Sequence, residues 1–143
     1  MLTVALFFSL LVPTPLSANP EQVTVYKSPN CGCCTKWVDH LEENGFAVVV
    51  HSMPDLRPLK RENRIPPTLS SCHTGFIGGY VLEGHVPAED IVRLLEERPQ
   101  ISGIAVPGMP IGSPGMEGPN PEPYRVLSFD PKGRIEVFSS HGP

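Results

Sequence analysis

Four cysteines in 143 residues would ordinarily make two disulfides, but their spacing resists that reading. Cys31, Cys33 and Cys34 lie within four residues, and only Cys72 is distant. A bridge between adjacent Cys33 and Cys34 closes a strained ring. Bridges Cys31–Cys34 and Cys33–Cys72 fasten little chain for the thiols they use. Two chemistries account better for the set. Cys31 and Cys34 form a C-x-x-C pair at an expected helix start, where the helix dipole and free N–H groups stabilise a thiolate. That suits dithiol exchange, with Cys31 as nucleophile and Cys34 as the resolving thiol. Against it, Cys33 offers a competing partner at every step. The other chemistry is metal binding, because clustered thiols deprotonate readily and thiolates bridge soft ions.

The elements around these residues decide what else can reach them. Val23 to Lys27 alternates as a strand and ends in the turn signal Ser28-Pro29-Asn30. After the cysteines, Cys34, Trp37, Val38 and Leu41 share one helix face, and Gly45 sits at a C-terminal cap. Phe46 to Val50 is a continuous apolar run that predicts a strand buried on both faces. A short helix is expected between Asp55 and Arg64, closed by Pro66-Pro67. Gly78-Gly79 predicts a hairpin turn pairing Ile77 with Tyr80, Thr74 with Glu83 and Cys72 with His85. Pro87 opens a last core helix with Ile91, Val92, Leu94 and Leu95 inward.

The expected order is β-α-β-α-β-β-α, an α/β core with the C-x-x-C at the thioredoxin position. The Pro/Gly-rich stretch from Pro99 to Pro123 reads as an extended loop, and Tyr124 to Phe129 with Arg134 to Phe138 as a closing hairpin. The core would span 19–98, with 99–143 a C-terminal extension packed on the same domain.

In this topology the third strand runs antiparallel to the first, which brings Cys72 and His85 to the rim occupied by Cys31, Cys33 and Cys34. His73 is expected to face the other way, since neighbours in a strand alternate. His51 and Met53 follow the second strand and are weaker candidates for the same rim. His40 is expected on the solvated helix face, and His141 in a loose C-terminal stretch. A zinc site usually draws two cysteines from each of two knuckles, whereas here the split is three and one. The plant-type iron–sulfur spacing is absent. Met109 and Met116 lie in the Pro/Gly loop rather than on an apolar face, and thioethers select Cu(I). Copper is therefore the expected metal.

Composition excludes other classes. A net charge of −4 without a basic stripe argues against nucleic-acid binding. Met1 to Ala18 has no charged side chain and its apolar stretch is broken by Pro13 and Pro15. It is shorter than the ~20 residues that span a bilayer. Ending in Leu16-Ser17-Ala18, it reads as a secretory signal peptide lacking the usual basic start, with no membrane anchor left after cleavage.

Tyr26-Lys27-Ser28-Pro29-Asn30-Cys31-Gly32-Cys33-Cys34, Ser71-Cys72-His73-Thr74, Gly84-His85-Val86-Pro87 and the loop from Gly108 to Met116 resemble the CopG-like copper-resistance proteins of Gram-negative bacteria. The resemblance implies a periplasmic thioredoxin-like domain with a C-terminal extension, binding copper through Cys31, Cys33 and Cys34. Cys72, His85, Met109 and Met116 match other recurring positions and are further candidate ligands. Bridging thiolates would allow more than one copper ion. A thiolate, imidazole and thioether set suits both Cu(I) and Cu(II), so interconversion of the two is one expectation. Non-enzymatic sequestration, or shuttling to periplasmic copper-export or carrier proteins, accounts for the same residues. A periplasmic thiol–disulfide oxidoreductase using Cys31 and Cys34 is the alternative.

Overall fold

The computed structural model describes residues 21–143. The expected signal segment, 1–18, lies outside the described residues. One seven-stranded mixed sheet organises the described residues, in the order β2-β1-β3-β4-β5-β6-β7. Its strands are β1 (Gln22–Lys27), β2 (Ala47–Ser52), β3 (His73–Ile77), β4 (Tyr80–Glu83), β5 (Gly103–Ala105), β6 (Tyr124–Phe129) and β7 (Ile135–His141). Three helices connect them: α1 (Gly32–Glu43), α2 (Arg57–Glu62) and α3 (Ala88–Glu97). From β1 to α3 the order is the expected one, with a 3-10 turn at Pro67–Leu69 added before β3.

Local chemistry accounts for these elements. Cys34, Trp37, Val38 and Leu41 form the buried stripe of α1. The helix closes with paired bonds, Phe46 N–H to the Leu41 carbonyl and Gly45 N–H to that of Glu42, which satisfy the last free carbonyls. The Gly78-Gly79 turn sets the β3–β4 register as expected, Ile77 opposite Tyr80 and Thr74 opposite Glu83. β1 pairs parallel to β2 and antiparallel to β3, so the end of β1 and the start of β3 share one edge.

Alternation along the strands makes two cores. Val23, Val25, Leu82, Ile104 and Val126 pack with Trp37 and Leu41 of α1 and Ile91 and Leu94 of α3. On the opposite face Val81, Ala105 and Phe129 pack with Ile65 and Leu69. Fully burying a side chain of this size contributes about 1.5–3 kcal/mol. The Trp37 indole N–H donates to the Val86 carbonyl at 2.8 Å, fixing α1 against the segment between β4 and α3.

Three expectations are corrected. The strand at Phe46–Val50 is not buried on both faces: β2 lies at the sheet edge, and Val49 and Val50 are 36% and 45% exposed. Val92 faces solvent while Ile91 and Leu94 point inward, because each helical step rotates the side chain by about 100°. The stretch from Pro99 to Pro123 is not wholly loop. Gly103–Ala105 inserts as β5, parallel to β4 and antiparallel to β6, so the extension continues the core sheet. Among the described residues, no helix is long and apolar enough to cross a membrane.

Candidate metal centre

The centre lies where β1 ends, α1 begins and β3 starts. The turn after β1 is closed by the Cys31 N–H donating to the Ser28 carbonyl at 3.2 Å. Cys31 is the N-cap of α1 in extended conformation, so Cys33 and Cys34 fall in the first helical turn. Cys34 is fully buried, whereas Cys31 and Cys33 are partly open. Cys31 and Cys34 form a disulfide, and Cys33 and Cys72 are free thiols. All four sulfurs lie within 4.8 Å of one another. Two metal–thiolate bonds of about 2.3 Å span about 4.6 Å, so once the Cys31–Cys34 bridge is reduced these sulfurs can share an ion with little movement.

Cys72 belongs to a second group as well. Its sulfur is 3.3 Å from His85 Nε2 and 3.3 Å from His73 Nδ1. Gly84 makes this approach feasible. It turns the chain after β4 with φ +74°, and a Cβ there would stand 2.6 Å from the Val106 carbonyl oxygen. His85 Nδ1 lies 2.8 Å from the Pro114 carbonyl, an acceptor only, so Nδ1 carries the proton. That leaves the Nε2 lone pair directed at Cys72, the arrangement by which a second partner orients a ligating imidazole. Burial lowers the pKa of His85, and that of His73 to about 3, the latter helped by the neighbouring His85 and Lys60. Both rings therefore stay neutral and keep a lone pair. Burial and the adjacent Cys33 push the Cys72 thiol up to about 11, so a metal must displace its proton to bind.

The Pro/Gly loop covers this group. Ser71 Oγ donates to the Gly108 carbonyl at 2.8 Å, and Met109 Sδ lies 4.0 Å from Cys33 Sγ. Met116 enters by its backbone, donating to Ser113 and accepting from Gly112 to close the turn. Beneath the loop, Glu83 is fully buried and paired with Lys60. Its carboxylate accepts the Ser71 N–H at 2.6 Å and the Thr74 hydroxyl at 2.7 Å, clamping the segment that carries Cys72 and His73 on both sides.

A family described as "Protein of unknown function, DUF411" matches residues 69–116. Two solved structures, "Copper resistance protein copG" in Form 1 and in Form 2, superpose with a TM-score of 0.82 each. Both are 43% identical to this chain, covering 87% of it and 100% of their own length.

The chain belongs to the CopG family.

Among curated protein sequences, none matches it. Within this CopG-family chain the DUF411 match contains Cys72, His73, His85, Met109 and Met116, and the Cys31–Cys34 motif lies before it.

The structure brings Cys31, Cys33, Cys34, Cys72, His85 and Met109 together, and it adds His73. The expectation that His73 faces away is corrected. It assumed an extended strand through Cys72, but Cys72 sits in a bend and β3 begins only at His73. Among the described residues His73 Nε2 is buried without a hydrogen-bond partner, while its ring packs on Trp37 at 4.3 Å between centroids. Its Nδ1 faces the Cys72 sulfur at 3.3 Å, which makes His73 a further candidate ligand. The pairing of His73 with Cys72 in adjacent positions was the available signal. His51 is not part of the rim: it stacks on Tyr26 at 5.0 Å, and that register row lies on the opposite sheet face. His40 is only half-exposed, its Nε2 accepting the Ala88 N–H at the start of α3. His141 is tied down through Nε2 to Asp90 at 2.6 Å.

Soft sulfur with neutral imidazole fits a soft or borderline ion and not a hard one. The loop should matter to its retention. A Cβ on Gly115 would meet the Cys33 carbonyl oxygen at 2.8 Å and the Trp37 backbone nitrogen at 2.9 Å, at φ +85°. Gly115→Ala should therefore lift the loop and loosen the Pro114–His85 bond, lowering metal affinity by about 10–100-fold. Competition with a chromogenic chelator measures this, and unchanged affinity would mean the loop is irrelevant to binding.

Proposed function

We propose that this CopG-family member is a periplasmic copper-binding protein of copper resistance, exported by the segment 1–18. With the Cys31–Cys34 bridge reduced, it holds copper through thiolates of Cys31, Cys33, Cys34 and Cys72 with His85, His73 and Met109, and Met116 belongs to the same covering loop. One observation carries the reading: Cys72 is shared between a four-sulfur group and a two-imidazole group. A bridging thiolate of this kind supports more than one ion, and the mixed donors support passage between Cu(I) and Cu(II). Partly open Cys31 and Cys33 leave a path for copper to a carrier or export protein.

Elemental analysis of anaerobically purified protein, with a thiol count, tests the proposal. Copper should dominate, and zinc or iron in its place would defeat it. The single tryptophan supplies a second readout. Trp37 packs on His73, so copper loading should quench its fluorescence in step with occupancy. Emission unchanged at full loading would remove His73 from the ligand set.

A second reading, dithiol exchange, is favoured by the Cys31–Cys34 disulfide. Cys33→Ser separates the two. Tight copper binding should be lost, whereas exchange with a model disulfide should continue if that is the activity.

A further inference from the structure

We propose that Cys31 and Cys34 are the electron donors of the centre: as a dithiol they reduce two Cu(II) ions and close to a disulfide, while Cys33, Cys72, His73, His85 and Met109 keep hold of the copper. This rests on the copper reading above and divides its cysteines into two jobs.

The structure contains the product side of that reaction. With Cys31 and Cys34 joined, the remaining donors still converge. Cys33 and Cys72 stay within 4.8 Å of each other, Met109 Sδ stays 4.0 Å from Cys33, and Cys72 faces both imidazoles at 3.3 Å. Closing the disulfide does not dismantle the site. What it leaves is two thiols, a thioether and two neutral imidazoles, a soft set that favours Cu(I) over Cu(II) and so pulls the reduction forward.

Proximity supplies the route. Cys31 Sγ is 3.5 Å from Cys33 Sγ, so an ion bound to Cys33 is within bonding reach of Cys31. Burial separates the two donors' roles. Cys34 is fully enclosed under α1 and can pair only with a neighbour, whereas Cys31 is open to a partner. The helix N-terminus beside both favours the thiolate that must give up the electron.

The step balances. Two S–H bonds break and their protons pass to water; each sulfur gives one electron to one Cu(II); one S–S bond forms, and two Cu(I) remain. Turnover requires a dithiol reductant, which attacks the open Cys31 sulfur, leaves as its own disulfide and restores two thiols.

The test mixes reduced, copper-free protein anaerobically with two equivalents of Cu(II). The Cu(II) electron paramagnetic resonance signal should vanish and two of the four thiols should be lost. A Cu(I)-specific chelator should then recover both ions after denaturation. Peptide mapping should find one new bridge, Cys31–Cys34. A Cys31→Ser, Cys34→Ser double variant should leave the Cu(II) signal in place after the unaltered protein has finished, whatever its own affinity for Cu(I). A variant that erased the signal as fast as the unaltered protein would overturn the proposal. Four intact thiols, or a bridge that includes Cys33 or Cys72, would overturn the proposal. Should the double variant fail to fold, the bridge mapped in the unaltered protein decides alone. If the reduced protein cannot hold Cu(I) supplied directly, the copper reading itself fails.

Discussion

Cys72→Ser is expected to lower Cu(I) affinity by more than about a hundredfold, a larger loss than that of any other single ligand. Altering groups that merely orient a ligand typically costs 10–100-fold, and removing a ligand costs more. Cys72 is a special case because its sulfur lies in both donor groups, with Cys31, Cys33 and Cys34 on one side and His73 and His85 on the other. Losing it separates the two. The serine hydroxyl fits the space but is a hard donor, poorly matched to Cu(I). Anaerobic competition with a Cu(I) chelator gives the affinity, and thermal unfolding of the copper-free variant provides the control. Binding within a few-fold of the unaltered protein would show that the two groups do not share an ion.

Lys60→Met is expected to destabilise the fold by about 3–5 kcal/mol, the usual result of removing one partner of a buried ion pair. Glu83 has no exposure at all, and its side chain serves Lys60, Thr74 and the Ser71 backbone together. Burial already raises its pKa, outweighing the opposing pull of Lys60. Without Lys60 the carboxylate is stranded in an apolar layer beside Val81 and Ala105. The sign of the pH dependence follows from linkage. A carboxyl whose folded-state pKa stands above its unfolded value binds more protons when folded, so stability falls as pH rises through the folded pKa. The deficit of Lys60→Met should therefore shrink in acid, and adding Glu83→Gln should recover much of it near neutral pH. Chemical denaturation across pH measures both. A deficit that does not change with pH would mean Glu83 is not the stranded charge. Because Glu83 holds both flanks of Cys72–His73, copper affinity should fall alongside stability.

Much of this molecule follows from short-range patterns. The α1 stripe of Cys34, Trp37, Val38 and Leu41 is set by helical periodicity, and all four are buried. The Gly-Gly turn dictates the β3–β4 pairing, because a two-residue hairpin leaves one register open. From these the approach of Cys72 to His85 could be anticipated, and it is observed at 3.3 Å. Cysteine spacing pointed to a cluster, and the four sulfurs do lie within 4.8 Å of one another, but it argued against the Cys31–Cys34 disulfide that the structure contains.

What the tertiary structure decided depends on contacts between distant segments. Whether Val49 and Val50 are covered turns on β2 lying at the sheet edge, which their apolar character cannot reveal. His73 joins the centre because β3 starts one residue later than alternation assumed, and where a strand starts is set by its neighbours across the sheet. Met109 reaches Cys33 only because β5 and β6 anchor the two ends of its loop. Periodicity and turn chemistry act over a few residues; the meeting of a sulfur at position 33 with one at position 109 is a property of how the sheet is ordered.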